Sequence, residues 1–188
     1  MSDKEPKPAV SSAQGIQRAY TIPSVQFDPK WVTDAVKADL KSNIQKIEGF
    51  EPYFEEIYDA ALRSISRGRD VATLFDFIMG LNLPDITKQR AREISLSLNN
   101  KASALINRDR QAALGIEHSI WVYSGAPCQL NPKKPSVEDV RQDAEHKAAN
   151  GKRYEIAKGM FLNGRFTIPG WADGCRCSSR SIIPGFDE

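Results

Sequence analysis

The chain lacks any apolar run of membrane-spanning length, and its opening, Met-Ser-Asp-Lys-Glu-Pro-Lys-Pro, contains no hydrophobic signal core. Neither a membrane partner nor secretion is expected, which leaves the cytoplasm as the compartment of synthesis. Net charge is also scarce: 26 basic residues against 24 acidic ones leave +2, too little to argue for nucleic acid on charge alone. Cysteine is rare, with three in 188 residues, and histidine rarer, with two. An odd cysteine count without a signal peptide points to thiols or metal ligands rather than a disulfide framework. There is no internal repeat. Residues 1–26 are dominated by Pro, Ser, Lys and Gln without an apolar period, and read as a disordered arm.

What is present is helical periodicity, then a change of period. The spacing of Val32, Val36, Leu40, Ile44 and Ile47 predicts a helix from Asp28-Pro29 to about Glu48, with Lys37, Lys41 and Lys46 opposite the apolar stripe. Glu51-Pro52 starts a second helix, with Phe54, Ile57, Ala61, Leu62 and Ile65 inward and Gly68 at its left-handed C-cap. Asp70 caps a short third helix through Leu74 and Ile78. The longest pattern runs from Ile86 to Leu114 and stops at Gly115, with Ile86, Ile94, Leu98, Ala102 and Leu105 on one side. The other side carries Lys88, Arg90, Arg92, Lys101, Arg108 and Arg110, read either as a solvated face or as a contact to phosphate or an acidic partner. These basic residues are not interleaved with aromatics able to stack bases, which disfavours single-strand recognition.

Beyond Gly115 the residues alternate, with Ile116, His118, Ile120 and Val122 in a strand that ends at Tyr123. A helix from Ser136 to about Ala149 follows a Pro-rich loop. Asn150-Gly151 and Asn163-Gly164 are tight-turn signals, and the second sits within a hairpin over residues 160–168. A last strand is placed at Arg180–Ile183. The expected fold class is therefore α+β: a helical region over 27–115 with one long basic helix, then a small loop-rich module over 116–188 with short strands.

All three cysteines and one histidine fall in that module. Cys175-Arg176-Cys177 is a C-x-C pair, with Cys128 and His146 upstream. Zinc takes four tetrahedral ligands, and three thiolates with one imidazole form one of its structural sets. A small unit with little core gains most from such a clamp. The metal-free alternative is a set of partly buried thiols with His146 hydrogen-bonded to a carboxylate such as Asp143. His118 reads as a packed or edge residue. Two enzymatic readings use the same residues. His146 could act as general acid or base with Arg141, Lys152 or Arg153 stabilising a phosphate-like charge, as in a small ribonuclease, or Cys128, His146 and Asp143 could form a nucleophile set. Neither has a second feature in the sequence that fixes its geometry.

Four stretches in order carry a further signal: the run 104–116 ending Leu114-Gly115-Ile116; Trp121 with Ser124; Arg141 and His146 followed by Asn150-Gly151-Lys152; and Pro169-Gly-Trp leading to Cys175-Arg-Cys177. Together they resemble the Mu F-like family of phage head morphogenesis proteins over about residues 90–180. Residues 125–140 depart from that pattern, because a loop containing Cys128 intervenes between the Trp-x-x-Ser strand and the histidine. The resemblance implies a minor capsid protein and not an enzyme. It would act in head assembly at the portal vertex or in the head interior of the virion, with portal protein, other capsid proteins and packaged DNA as partners. A nucleic-acid-contacting protein or a small His146-dependent nuclease of phage or toxin origin is the alternative.

Overall fold

Val32, Val36, Leu40 and Ile44, each one helical turn from the next, are all buried in the computed structural model of the protein, which describes residues 28–130, 132–183 and 185–186. The arm expected over 1–26 lies outside the described residues. Val36, Leu40 and Ile44 are carried by α1 (Asp34–Ile44), which begins later than the Asp28-Pro29 signal implied and leaves Val32 in the segment before it. That signal instead forms a single 3-10 turn, Pro29–Trp31, and Thr33 supplies the cap, its hydroxyl accepting from the Val36 N–H. A one-turn start followed by a second cap is what a threonine in extended conformation imposes on the backbone. The Glu51-Pro52 start behaves in the same way, giving a 3-10 turn at Glu51–Tyr53 that runs into α2 (Phe54–Ser66).

The other expected helices form close to their predicted ends. In α2, Ile57, Ala61 and Ile65 are buried, joined by Tyr58, Ala60 and Ser64. Gly68 follows at φ +82°, a left-handed conformation that glycine adopts without strain. Asp70 caps α3 (Val71–Gly80) by accepting from the Thr73 N–H, and Thr87 caps the 26-residue α4 (Lys88–Ala113) through the Arg90 N–H. The helical core unites Leu40, Ile44, Phe50, Ile57, Leu74, Ile78, Ile94, Leu98 and Ile106. Within it, Ser64 donates to Asn99 Oδ1 at 2.9 Å, and Asn99 donates to the Ser95 carbonyl, so the buried polar groups are matched.

The C-terminal region adds β1 (His118–Val122), α5 (Val137–Ala149), β2 (Arg153–Glu155), β3 (Met160–Leu162), β4 (Arg165–Thr167) and β5 (Ser178–Ser181). β1 is the centre of an antiparallel sheet ordered β2-β1-β5, and β3 pairs with β4. Asn163 and Gly164, at φ +56° and +77°, close the β3–β4 hairpin as expected of a tight Asn-Gly turn. The other Asn-Gly pair does not make a hairpin. Asn150 is the C-cap of α5, its side chain accepts from the Tyr123 N–H, and the Gly151 N–H donates to the Trp121 carbonyl. β1 turns Ser119 and Trp121 inward, so the apolar members Ile120 and Val122 lie on its half-exposed face. β5 begins at Ser178, two residues before the expected start.

The module is docked along α4. Ile168 and Trp171 enter the helical core, Trp171 donates from Nε1 to Asp39 at 3.3 Å, and Gln111 donates from Nε2 to Ser181 Oγ at 2.8 Å. Lys101, with 12% of its side chain exposed, spans the seam, reaching Asp173 at 2.6 Å and Asn43 at 2.7 Å. Ile106 lies in the C-terminal third of α4 with no exposed surface. Ile106→Ala is expected to lower unfolding stability by about 2–5 kcal/mol, the range for deleting a buried Ile side chain. Urea denaturation would read this as a lower midpoint at unchanged slope.

Candidate metal centre

The centre is built from three stretches that meet under α5. Cys128 comes from the loop after β1, His146 from the inward face of α5, and Cys175 and Cys177 from the loop that leads into β5. All four are buried, and their ligand atoms lie within 4.8 Å of one another. Cys128 Sγ is 3.8 Å from Cys175 Sγ and 3.4 Å from Cys177 Sγ. His146 Nδ1 is 3.3 Å from Cys175 Sγ and 3.8 Å from Cys177 Sγ. Four soft donors closing on one point could hold a metal ion.

The surrounding residues fix each donor. Ser136 and Asp139 form a reciprocal capping box that starts α5, and Asp139 also accepts from the Leu130 N–H at 2.8 Å. Burial acts to raise the Asp139 pKa, but the Leu130 and Ser136 N–H groups outweigh it and hold the carboxyl below its ordinary 3.8. Its contribution to stability is therefore present above that value and lost as pH falls through the depressed one. Further along the helix, Asp143 accepts from the Cys128 N–H at 2.7 Å and from the Tyr123 hydroxyl at 2.8 Å. Burial, followed by the Asp143 carboxylate, pushes the Tyr123 hydroxyl up to about 12, so it remains a donor. Gln142 donates to the Cys128 carbonyl at 2.9 Å and to the Asp173 carbonyl at 2.7 Å, joining the two cysteine loops. Gln142, Asp143 and His146 occupy one turn of α5, so a single helix face positions all three.

The loops touch backbone to backbone. Gly174 has φ +69°, and a Cβ there would come within 2.3 Å of the Gln129 carbonyl carbon. Only glycine permits this approach without movement of the chain. Trp121 covers the site from β1, its ring edge-on to His146 at 5.0 Å. Its Nε1 is a buried donor without a hydrogen-bond partner among the described residues. The Gly170 N–H donates to Cys175 Sγ at 3.3 Å, and the Arg176 N–H acts on Cys128 in the same sense. The Gly170 N–H is thus directed at the Cys175 sulfur in the sense that stabilises a thiolate.

Without a cation, three neighbouring sulfurs share that charge unequally. Hydrogen bonds from the Cys175 and Cys177 thiols lower the Cys128 pKa, and the same bonds raise the other two, Cys177 to about 12. The anticipated pairing of His146 with Asp143 is absent, because Nδ1 faces the sulfurs and Asp143 is engaged by Cys128 and Tyr123. His118 stays in β1, away from the cluster, half-exposed and paired with Glu155 of β2 in the centre of the sheet. Gln142, Trp121 and Gly174 were not singled out by sequence as site residues. The Gly-Cys pair at 174–175 was the local signal for Gly174, and Trp121 had entered only among the residues that carry the family resemblance.

The basic residues of α4 do not form one face. At about 100° per residue, Lys88, Arg92 and Arg110 fall along one flank of the helix and Arg90, Lys101 and Arg108 along the other. The single basic side read from composition is therefore split. Lys101 is committed to Asp173 and Asn43, Arg108 pairs with Asp109 at 2.9 Å, Arg90 approaches Glu93 at 4.0 Å, and Arg110 lies over the Trp31 ring at 5.9 Å. Lys88 and Arg92 are exposed.

Gly174→Ala is expected to force the 129 and 174 backbones apart and loosen the four-donor cluster. Thiol titration of the native protein should then proceed faster than in the parent, and the melting temperature should fall; unchanged thiol protection would show that the close approach is not needed. No protein-family model, no curated protein and no solved structure matches this chain.

Proposed function

We propose that Cys128, His146, Cys175 and Cys177 hold one structural zinc ion, and that the protein is a phage minor head protein of the Mu F-like kind. The observation that carries the metal reading is the spacing of the donors. A tetrahedron with Zn–S of about 2.3 Å and Zn–N of about 2.0 Å has edges of roughly 3.5–3.8 Å. Four of the six donor separations, at 3.3–3.8 Å, fall close to those edges, and all six lie within 4.8 Å. Four protein ligands leave no open coordination position, and burial of all four supports a clamp rather than a reaction centre. Zinc supplies folding energy here by cross-linking stretches distant in sequence.

The assembly reading rests on where the family-like residues lie. Trp121 covers the cluster, His146, Cys175 and Cys177 are donors in it, Gly151 bonds the Trp121 carbonyl, and Gly115 ends the helix on which the module docks. Residues that resemble a family pattern in sequence therefore converge on one structural unit. Cys128, which lies in the stretch that departs from the pattern, completes it. Such a rigid module on a helical base suits a protein that binds neighbours in a particle. The nuclease alternative is disfavoured by His146, which is 1% exposed, faces sulfur through Nδ1 and is covered by Trp121.

Elemental analysis after metal-free purification should give about one zinc per chain, and a chelator should lower the melting temperature. Less than about a tenth of an equivalent would overturn the clamp. Because zinc must displace protons from thiols whose pKa is raised, retention should weaken as pH falls. A pH series followed with a zinc dye reads that direction. For the assembly role, purified protein should co-sediment with portal rings and be found in mature particles; absence from both would refute it. No turnover of RNA or DNA is expected, and a turnover abolished by His146→Ala would favour the nuclease instead.

A further inference from the structure

A cleft of about 390 Å³ opens between α4 and the module, on the side of Cys177 away from α5. Four arginines line it, from three places in the chain: Arg69 from the α2–α3 turn, Arg92 and Arg108 from the two flanks of α4, and Arg176 from between the two C-terminal cysteines. No carboxylate lines it. Arg69, Arg92 and Arg176 form no ion pair among the described residues, and the one pair of Arg108 is with its neighbour Asp109. A chain with a net charge of only +2 has thus gathered four unit charges around one concavity. Low-dielectric walls focus such a field on whatever enters.

The backbone holds two of these arginines in uncommon positions. Arg69 sits at φ +73°, in the left-handed region that disfavours residues with a Cβ, and its guanidinium donates to Asn100 Oδ1 at the cleft wall. Arg176 is exposed, yet both flanking residues, Cys175 and Cys177, are buried, so its Cα is anchored on each side. The floor is polar: Gln111 Nε2 lies 3.3 Å from Ser179 Oγ, and both residues line the cleft. Tyr154, the aromatic residue of the lining, is 6% exposed and offers no face on which a base could stack.

We propose that this cleft is an anion site that takes a phosphate group, carried on a nucleotide or on a nucleic-acid backbone. Several guanidinium forks around one concavity match the multiple acceptor oxygens of phosphate better than a single carboxylate. The volume suits a small anion or one nucleotide unit. Lacking a stacking surface, the site reads phosphate rather than base, so binding is independent of sequence. It involves Arg69 and Arg176, which no helix stripe contains.

The test uses the full chain and two probes, an end-labelled mixed-sequence oligonucleotide followed by fluorescence polarisation, and inorganic pyrophosphate followed by phosphorus NMR line broadening. Pyrophosphate should broaden with wild-type protein and compete with the oligonucleotide. The double variant Arg92→Ala/Arg176→Ala should bind at least about tenfold more weakly, with a log–log salt slope reduced by about one to two, because each lost phosphate contact removes nearly one released counterion. The control Lys147→Ala/Arg153→Ala removes the same charge from exposed positions outside the cleft and should leave binding within about twofold. Binding of both probes assigns the site to polynucleotide phosphate; binding of pyrophosphate alone assigns it to a small phosphate compound. The inference is overturned if wild-type protein binds neither probe, a readout that needs no variant to fold, or if the double variant and the control weaken binding equally.

Discussion

The C-terminal structure depends on one close approach, that of the Gln129 backbone to the Gly174 backbone. It brings Cys128 to within 3.8 Å of Cys175 and 3.4 Å of Cys177, across more than forty positions of sequence. Loop closure over such a span is entropically unfavourable, and the module contains few large apolar side chains to offset it. The local solution is polar. Gln142 bonds both loops, Asp143 holds the Cys128 N–H, and α5 presents these groups together with His146. A cation shared by the four donors would add a cross-link where the hydrophobic contribution is smallest.

The same approach positions what lies around it. Trp121 has a cluster to cover only because the loops meet, and the β2-β1-β5 sheet follows directly from the second loop. The module then docks by Ile168 and Trp171 into a core otherwise made of helices, with Lys101 and Asp173 paired across the seam. The helical region is conventional, with caps at Thr33, Asp70 and Thr87 and a core whose polar members are matched. Between the two regions the arginine-lined cleft arises as a property of the docking and of neither part alone.

Much of the helical region was legible because it depends on periodicity. Val36, Leu40 and Ile44 are inward for the same reason they recur every fourth position, and Gly68 and Gly115 end helices because they tolerate positive φ. Boundaries were less legible where two start signals compete, as at Asp28-Pro29 and Thr33, since only one can cap the regular helix. The inward face of β1 ran against hydrophobicity: Ser119 is buried because Gln111 of α4 bonds its hydroxyl, while Ile120 is half-exposed. No local pattern contains that partner.

For the candidate site, the sequence by itself determined the donor chemistry: three cysteines and His146, few enough to be considered together, with a Gly next to Cys175. It also determined the turn signals and the helix that carries His146. The tertiary structure alone decided that Cys128 belongs to the cluster, that Asp143 serves Cys128 rather than His146, and that the basic residues of α4 part to its two flanks. The physical reason is that residue type and period are local properties, readable along one chain direction. Which sulfur meets which, and which arginines face one cleft, depends on distances between stretches far apart in sequence, and those exist only once the chain has folded.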